Sequence, residues 1–128
     1  MSGCFAVAKK DRIVWKKAWK HGGFGYPSQA VIVRLLLKKG TKYWRTNASA
    51  GDDKCKCRAP KLKVLGFETL TGHSLSDHTT VWSDRCSGFY YRVGETVKPD
   101  RPFDREPKAC GSGIHFFRTR EQAVAYTF

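Results

Sequence analysis

Long apolar runs, a leader pattern, internal repeats and, in the first half, acidic residues are all missing or scarce in this chain. The longest apolar stretch, residues 30–33, is broken by Arg34 before residues 35–37. A spanning helix needs about 20 apolar residues, so no membrane span is expected. The opening MSGCFAVAKKDR puts a short apolar stretch before the charges, the reverse of a secretory signal. The expected location is therefore inside a cell, or inside a particle assembled in one. Cysteine is sparse and odd in number: Cys4, Cys55, Cys57, Cys86 and Cys110. An odd count without a leader argues against a disulfide framework. The Cys55-x-Cys57 pair, with Cys86, Cys110 or His115, is a zinc alternative, but its single spacer is short for a structural site. No metal and no cofactor is expected.

What is present is a lopsided charge. The formal net charge is +13. Residues 1–63 hold sixteen Lys/Arg against three Asp/Glu, and residues 64–128 hold eight against eight. A basic half joined to a neutral half predicts a positive face aimed at something negative. The expected face is built from Lys9, Lys10, Arg12, Lys16, Lys17, Lys20, Lys38, Lys39, Lys42 and Arg45, interleaved with Trp15, Trp19, Tyr43 and Trp44. Lysines supply phosphate contacts and aromatic faces can stack unpaired bases. The plainer alternative puts the lysines in solvent and the tryptophans in the core. Helix-turn-helix, zinc-finger and ribonucleoprotein motifs are missing, so any nucleic-acid binding would be non-specific.

A chain of 128 residues is one domain of ordinary size, here 1–128, with length enough for a core. Its 13% aromatic content excludes a disordered basic tail. Strand signals dominate. Residues 12–20 (RIVWKKAWK) read as strand, although Trp15 and Trp19 would also share a helix face. Residues 30–37 read as a strand buried on both faces, and 62–69 as a half-buried one. A strand over 89–93, a turn at Gly94 and a brief extension over 96–98 follow. Residues 46–56, 74–78 and 99–107 read as loops. Gly111 and Gly113 turn into a strand at Ile114, and Thr119 with Gln122 predicts a capping box ahead of a helix over 120–126. The expected fold is α+β: a small mixed, mainly antiparallel sheet with a C-terminal helix packed on it.

At these residues the chain resembles a known family. The run CGSGIHFFRTREQAVAY, with Cys110, Gly111, Gly113, Ile114, His115, Phe116, Phe117 and Tyr126, is similar to the end of a small domain family of unknown function. That family occurs in large DNA viruses, phages and some bacteria, often in proteins with pentapeptide repeats. IVWKKAWK, VIVRLLLKKGTK and KCRAPKLKVLGF are similar to its earlier strands. This chain departs from the family in having no pentapeptide repeats and an unusually basic first half. The resemblance implies a compact α+β domain in a viral or phage context and no particular activity. The expected role is a non-enzymatic virion or assembly component whose partners are other assembly proteins or an acidic host protein. Nucleic acid is the alternative partner.

One enzymatic alternative stands beside these. The glycine turn, G-x-G-I-x-F and capped helix are similar to the nicotinamide-side segment of ADP-ribosyltransferases, with His21-Gly22 as the early His-Gly pair. Those enzymes need a later carboxylate for an oxocarbenium-like transition state, and the last acid here is Glu121. His73, Asp77 and His78 form a polar loop with metal-ligating groups. Cys110 and His115, five apart on a strand, would point to opposite faces. His115 itself is expected at the sheet surface, exposed or hydrogen-bonded.

Overall fold

The alternation of apolar and polar residues from Arg12 onward produces a sheet whose two faces have different fates. The computed structural model describes residues 4–20, 29–45, 57–82, 90–97 and 114–126, and for Cys4, Phe5, Trp44, Arg45 and Tyr90 the backbone alone. The strands are β1 (Cys4–Val7), β2 (Arg12–Lys20), β3 (Gln29–Leu37), β4 (Lys42–Arg45), β5 (Cys57–Ala59), β6 (Leu62–Thr69), β7 (Val81–Trp82), β8 (Tyr90–Tyr91), β9 (Thr96–Val97) and β10 (Ile114–Phe116). One helix, α1 (Arg120–Ala125), follows. They form a four-stranded sheet, β1-β4-β5-β10, and a six-stranded sheet, β8-β7-β2-β3-β6-β9. Every described pairing is antiparallel. The α+β fold with a C-terminal helix is thus the one the sequence predicts.

A two-bond bridge joins the sheets. Trp15 N–H donates to Phe117 O (2.8 Å) and Phe117 N–H to Trp15 O (2.7 Å). Alternation then assigns an inner face to both sheets. Val14 and Ala18 of β2, Val31, Val33, Leu35 and Leu37 of β3, and Leu62, Val64 and Phe67 of β6 meet Tyr43, Cys57, Ala59, Ile114 and Phe116 in one core. The shift of β6 register between Val64 and Gly66, opposite Arg34/Leu35, is a bulge that keeps both Val64 and Phe67 inward.

The outer face carries the helix. Ile32 and Ala123, both fully buried, belong to its contact. The expectation that β3 is buried on both faces holds for Val31, Ile32 and Val33; Arg34 and Leu36, beyond the helix, are half-buried. The helix is tied at both ends. At its start the Thr119 hydroxyl accepts from Gln122 N–H (3.3 Å). The reciprocal half of the capping box is not formed: Thr119 Oγ1 instead lies 3.2 Å from Gln122 Oε1 and donates to it. Arg120 pairs with Glu68 and donates to Thr69 O (3.0 Å) and Leu70 O (3.2 Å). At its end Lys17 Nζ donates to Val124 O (3.0 Å) and Tyr126 O (2.8 Å). Orphan carbonyls at a helix C-terminus favour a cation, and here it comes from β2. Helix residues run to Ala125, and Tyr126 is the cap, its ring 5.4 Å from that of Phe117.

Of the strand expected over 89–93, Tyr90–Tyr91 is strand and residues 92–95 form a turn, while residue 89 lies outside the described residues. Strands β4, β5 and β7 are additions to the predicted set. The loops expected over 46–56 and 99–107 lie outside the described residues.

Candidate binding surface

Two turns meet at one end of the molecule and bring half-sequence charge into one place. Ala8 N–H donates to Thr41 O (3.0 Å), and Gly40 N–H donates back to Ala8 O (2.8 Å). Lys39 N–H donates to Asp11 Oδ1 (2.8 Å). The link from β1 to β2, carrying Lys9 and Lys10, is thereby fastened to the link from β3 to β4, carrying Lys38 and Lys39. That second link is a turn closed by Thr41 N–H to Lys38 O (3.1 Å). Gly40 sits at its third position with φ +88°, while among the described residues no non-glycine has positive φ, which makes it a type II turn. Register places Lys42 opposite Val7 and Arg12 opposite Leu37.

Lys61 and Lys63 extend the cluster. With Lys38, Thr41, Leu36 and Thr96 they line a small pocket of about 80 Å³. Within segments 7–12, 38–42 and 61–63, eight cations stand against one carboxylate, Asp11, which is already engaged by a backbone N–H. Lys9, Lys10, Lys38, Lys39, Lys42 and Lys61 are exposed; Arg12 and Lys63 are half-buried. Charges this close repel, and exposure to screening solvent is what makes them tolerable. An anion approaching this end meets their summed field. Val7 (50% exposed) and Ile13 (46%) flank it as solvent-facing aliphatics.

The rest of the predicted basic face is elsewhere. Lys16 corrects the expectation that every lysine is at the surface: it lies on the inner face between Val14 and Ala18 and is 6% exposed. Alternation put it there, because β2 has no apolar residue to offer at that position. Lys17 caps the helix. Lys20 ends β2, eight residues from Arg12, about 26 Å away at strand rise. Arg45 and Trp44 are placed by backbone in β4, opposite Cys57 and Arg58. The aromatics do not interleave with the lysines as the sequence suggested. Tyr43 is in the core, 5.9 Å edge-on to Phe116, its hydroxyl accepting from Arg118 Nη1 at 2.8 Å. Trp15 and Trp19 are half-buried on the helix-bearing face.

The family-motif residues are structural in their placement. Ile114 and Phe116 are core, Phe117 makes the inter-sheet bridge, and Tyr126 caps the helix. His115 overturns its expected surface position: it is 5% exposed. It does point away from Ile114 and Phe116, but that side of the sheet is covered too. Its cross-strand partner is Arg58, which is fully buried. Sequence reading passed over Arg58; the signal is its place between Cys57 and Ala59, both core. It also passed over Lys61 and Lys63, whose alternation with Leu62 and Val64 marks them as outward. Cys110, Gly111, Gly113 and His21 lie outside the described residues, as do Cys55 and Cys86 of the zinc alternative; Cys57 is buried. His73, Asp77 and His78 are exposed, and among the described residues no three metal-ligating groups gather.

Residues 2–123 match the profile of a family described as a family of unknown function, DUF5758. The chain belongs to that family. No curated protein and no solved structure matches it. Membership covers the basic end, both sheets and most of α1, so these parts belong to one family unit. None of the described helices is long and apolar enough to cross a membrane.

Proposed function

We propose that this chain is a non-enzymatic binding domain that docks by its basic end onto an acidic protein surface, as a component of a virus particle or comparable assembly. The observation that carries this reading is the fastening of the 9–12 and 38–42 segments to one another, which gathers six cations around one engaged carboxylate, with Lys61 and Lys63 beside them. Val7 and Ile13 supply the apolar contact that protein partners use and phosphate backbones do not. Of the aromatics predicted to interleave with the lysines, Tyr43 is in the core and Trp15 and Trp19 are half-buried on the helix side, away from a base-stacking role at the basic end.

The test is incorporation of the full chain into particles or complexes from infected cells. A fourfold charge reversal, K9E/K10E/K38E/K39E, folded by circular dichroism, is expected to drop out of the complex that the unaltered chain enters. Equal incorporation of both overturns the reading. A titration of the unaltered chain against DNA and RNA is the counterpart. Tight binding that weakens steeply as salt rises would instead identify phosphate as the target.

A further inference from the structure

A second site, of opposite chemistry, neighbours the basic end. A half-open cleft of about 700 Å³ is lined by Asp77, His78, Trp82, Tyr91, Arg92 and Glu95, among others. Its volume is that of small-molecule sites. Its rims are held by backbone bonds. Thr79 N–H donates to Ser76 O (3.0 Å) and His78 N–H to Ser76 Oγ (3.2 Å) on one side. On the other, Glu95 N–H closes a turn onto Arg92 O (3.2 Å), while Gly94 N–H donates to Val64 O and Val64 N–H to Glu95 O (2.9 Å each). The β7–β8 pair, Val81 opposite Tyr91 and Trp82 opposite Tyr90, joins the rims.

The lining is unusual for this chain. Among the described residues, the carboxylates of Asp77 and Glu95 take no ion pair and no hydrogen bond. Two carboxylates and an indole lining one cleft are the groups that recognise an organic cation, through ion pairing and the negative face of the ring. Among the described residues no three His, Cys, Asp or Glu groups gather to hold a bare metal ion. Arg92 already has an interaction within the chain, and its charge on the rim limits the ligand to a single cationic head. We propose that this cleft binds a small monovalent organic cation, an ammonium or quaternary ammonium on an apolar stem. Asp77 and Glu95 neutralise the head and Trp82 forms the aromatic wall.

The proposal stands apart from the basic-end reading and is tested separately. The full chain is titrated with choline, n-butylammonium and the neutral choline isostere 3,3-dimethylbutanol, followed by amide chemical shifts. Saturable shifts confined to 76–82 and 91–96 are expected for the two cations, with the neutral isostere about tenfold weaker or more. D77N/E95Q is expected to lose about tenfold in affinity for the cations and nothing for the isostere. W82L, folded by circular dichroism, is expected to weaken the quaternary ligand more than the primary amine. Absence of saturation, shifts elsewhere, equal binding of the isostere, or an unchanged D77N/E95Q each overturn the assignment.

Discussion

Lys17 and Lys20 are identical in type and three positions apart on one strand, yet they have different work. Lys17 gives its ammonium to two carbonyls at the end of α1, while Lys20 does not. Charge-assisted bonds to otherwise orphaned carbonyls are the stronger kind. Lys17→Met, which keeps the apolar stem, is expected to cost about 2 kcal/mol in urea unfolding, and Lys20→Met to stay within about 0.5 kcal/mol. Gly40 gives a second contrast. A Cβ there meets nothing within 4 Å, so the cost of Gly40→Ala comes from the backbone alone. About 1 kcal/mol is expected, measured the same way. Gly66 is the reverse case. A Cβ there would lie 2.7 Å from Arg34 Nη2, so its smallness makes room for a guanidinium.

At the scale of elements, α1 has only six residues, too short to be stable unaided. It persists because Thr119, Arg120–Glu68 and Lys17 anchor it to the sheet. Thr119→Ala is expected to cost about 1 kcal/mol, and hydrogen exchange should show Gln122 and Ala123 amides losing protection before those of β2 and β3. This element was legible: a threonine before a short amphipathic run announces a helix start. So were β2, β3 and β6, where apolar periodicity runs for eight or nine residues. The shorter β4, β5 and β7 were not. Two to four residues carry too little pattern, and these strands exist through partners far away in the chain, as when Arg58 pairs with both Trp44 and His115. The glycine turn before Ile114 suggested a site; the described part of that corner is instead a packing corner.

At the scale of the molecule, the split of charge between halves of the sequence became a more local fact. Six of the ten predicted cations converge, joined by Lys61 and Lys63, while Lys16 is buried, Lys17 is used internally and Lys20 stands far off. Sequence alone shows how many cations there are; which of them share an end depends on two turns being bonded together. If repulsion at that end is real, urea stability should rise between low and moderate salt. In K9Q/K10Q/K38Q/K39Q the rise should be smaller. Equal salt responses would mean that the cations are too far apart to sense one another.

The bridge between Trp15 and Phe117 has a consequence for biosynthesis. Its two halves lie at opposite ends of the matched family region, so the ribosome must make everything between them before they can meet. Until Phe117 emerges, the nascent β2 keeps an open flank next to Trp15, available to any other extended chain. Nascent molecules on one messenger are therefore exposed to mispairing while the span from Trp15 to Phe117 is translated, and a chaperone that shields this flank should raise the yield of folded protein.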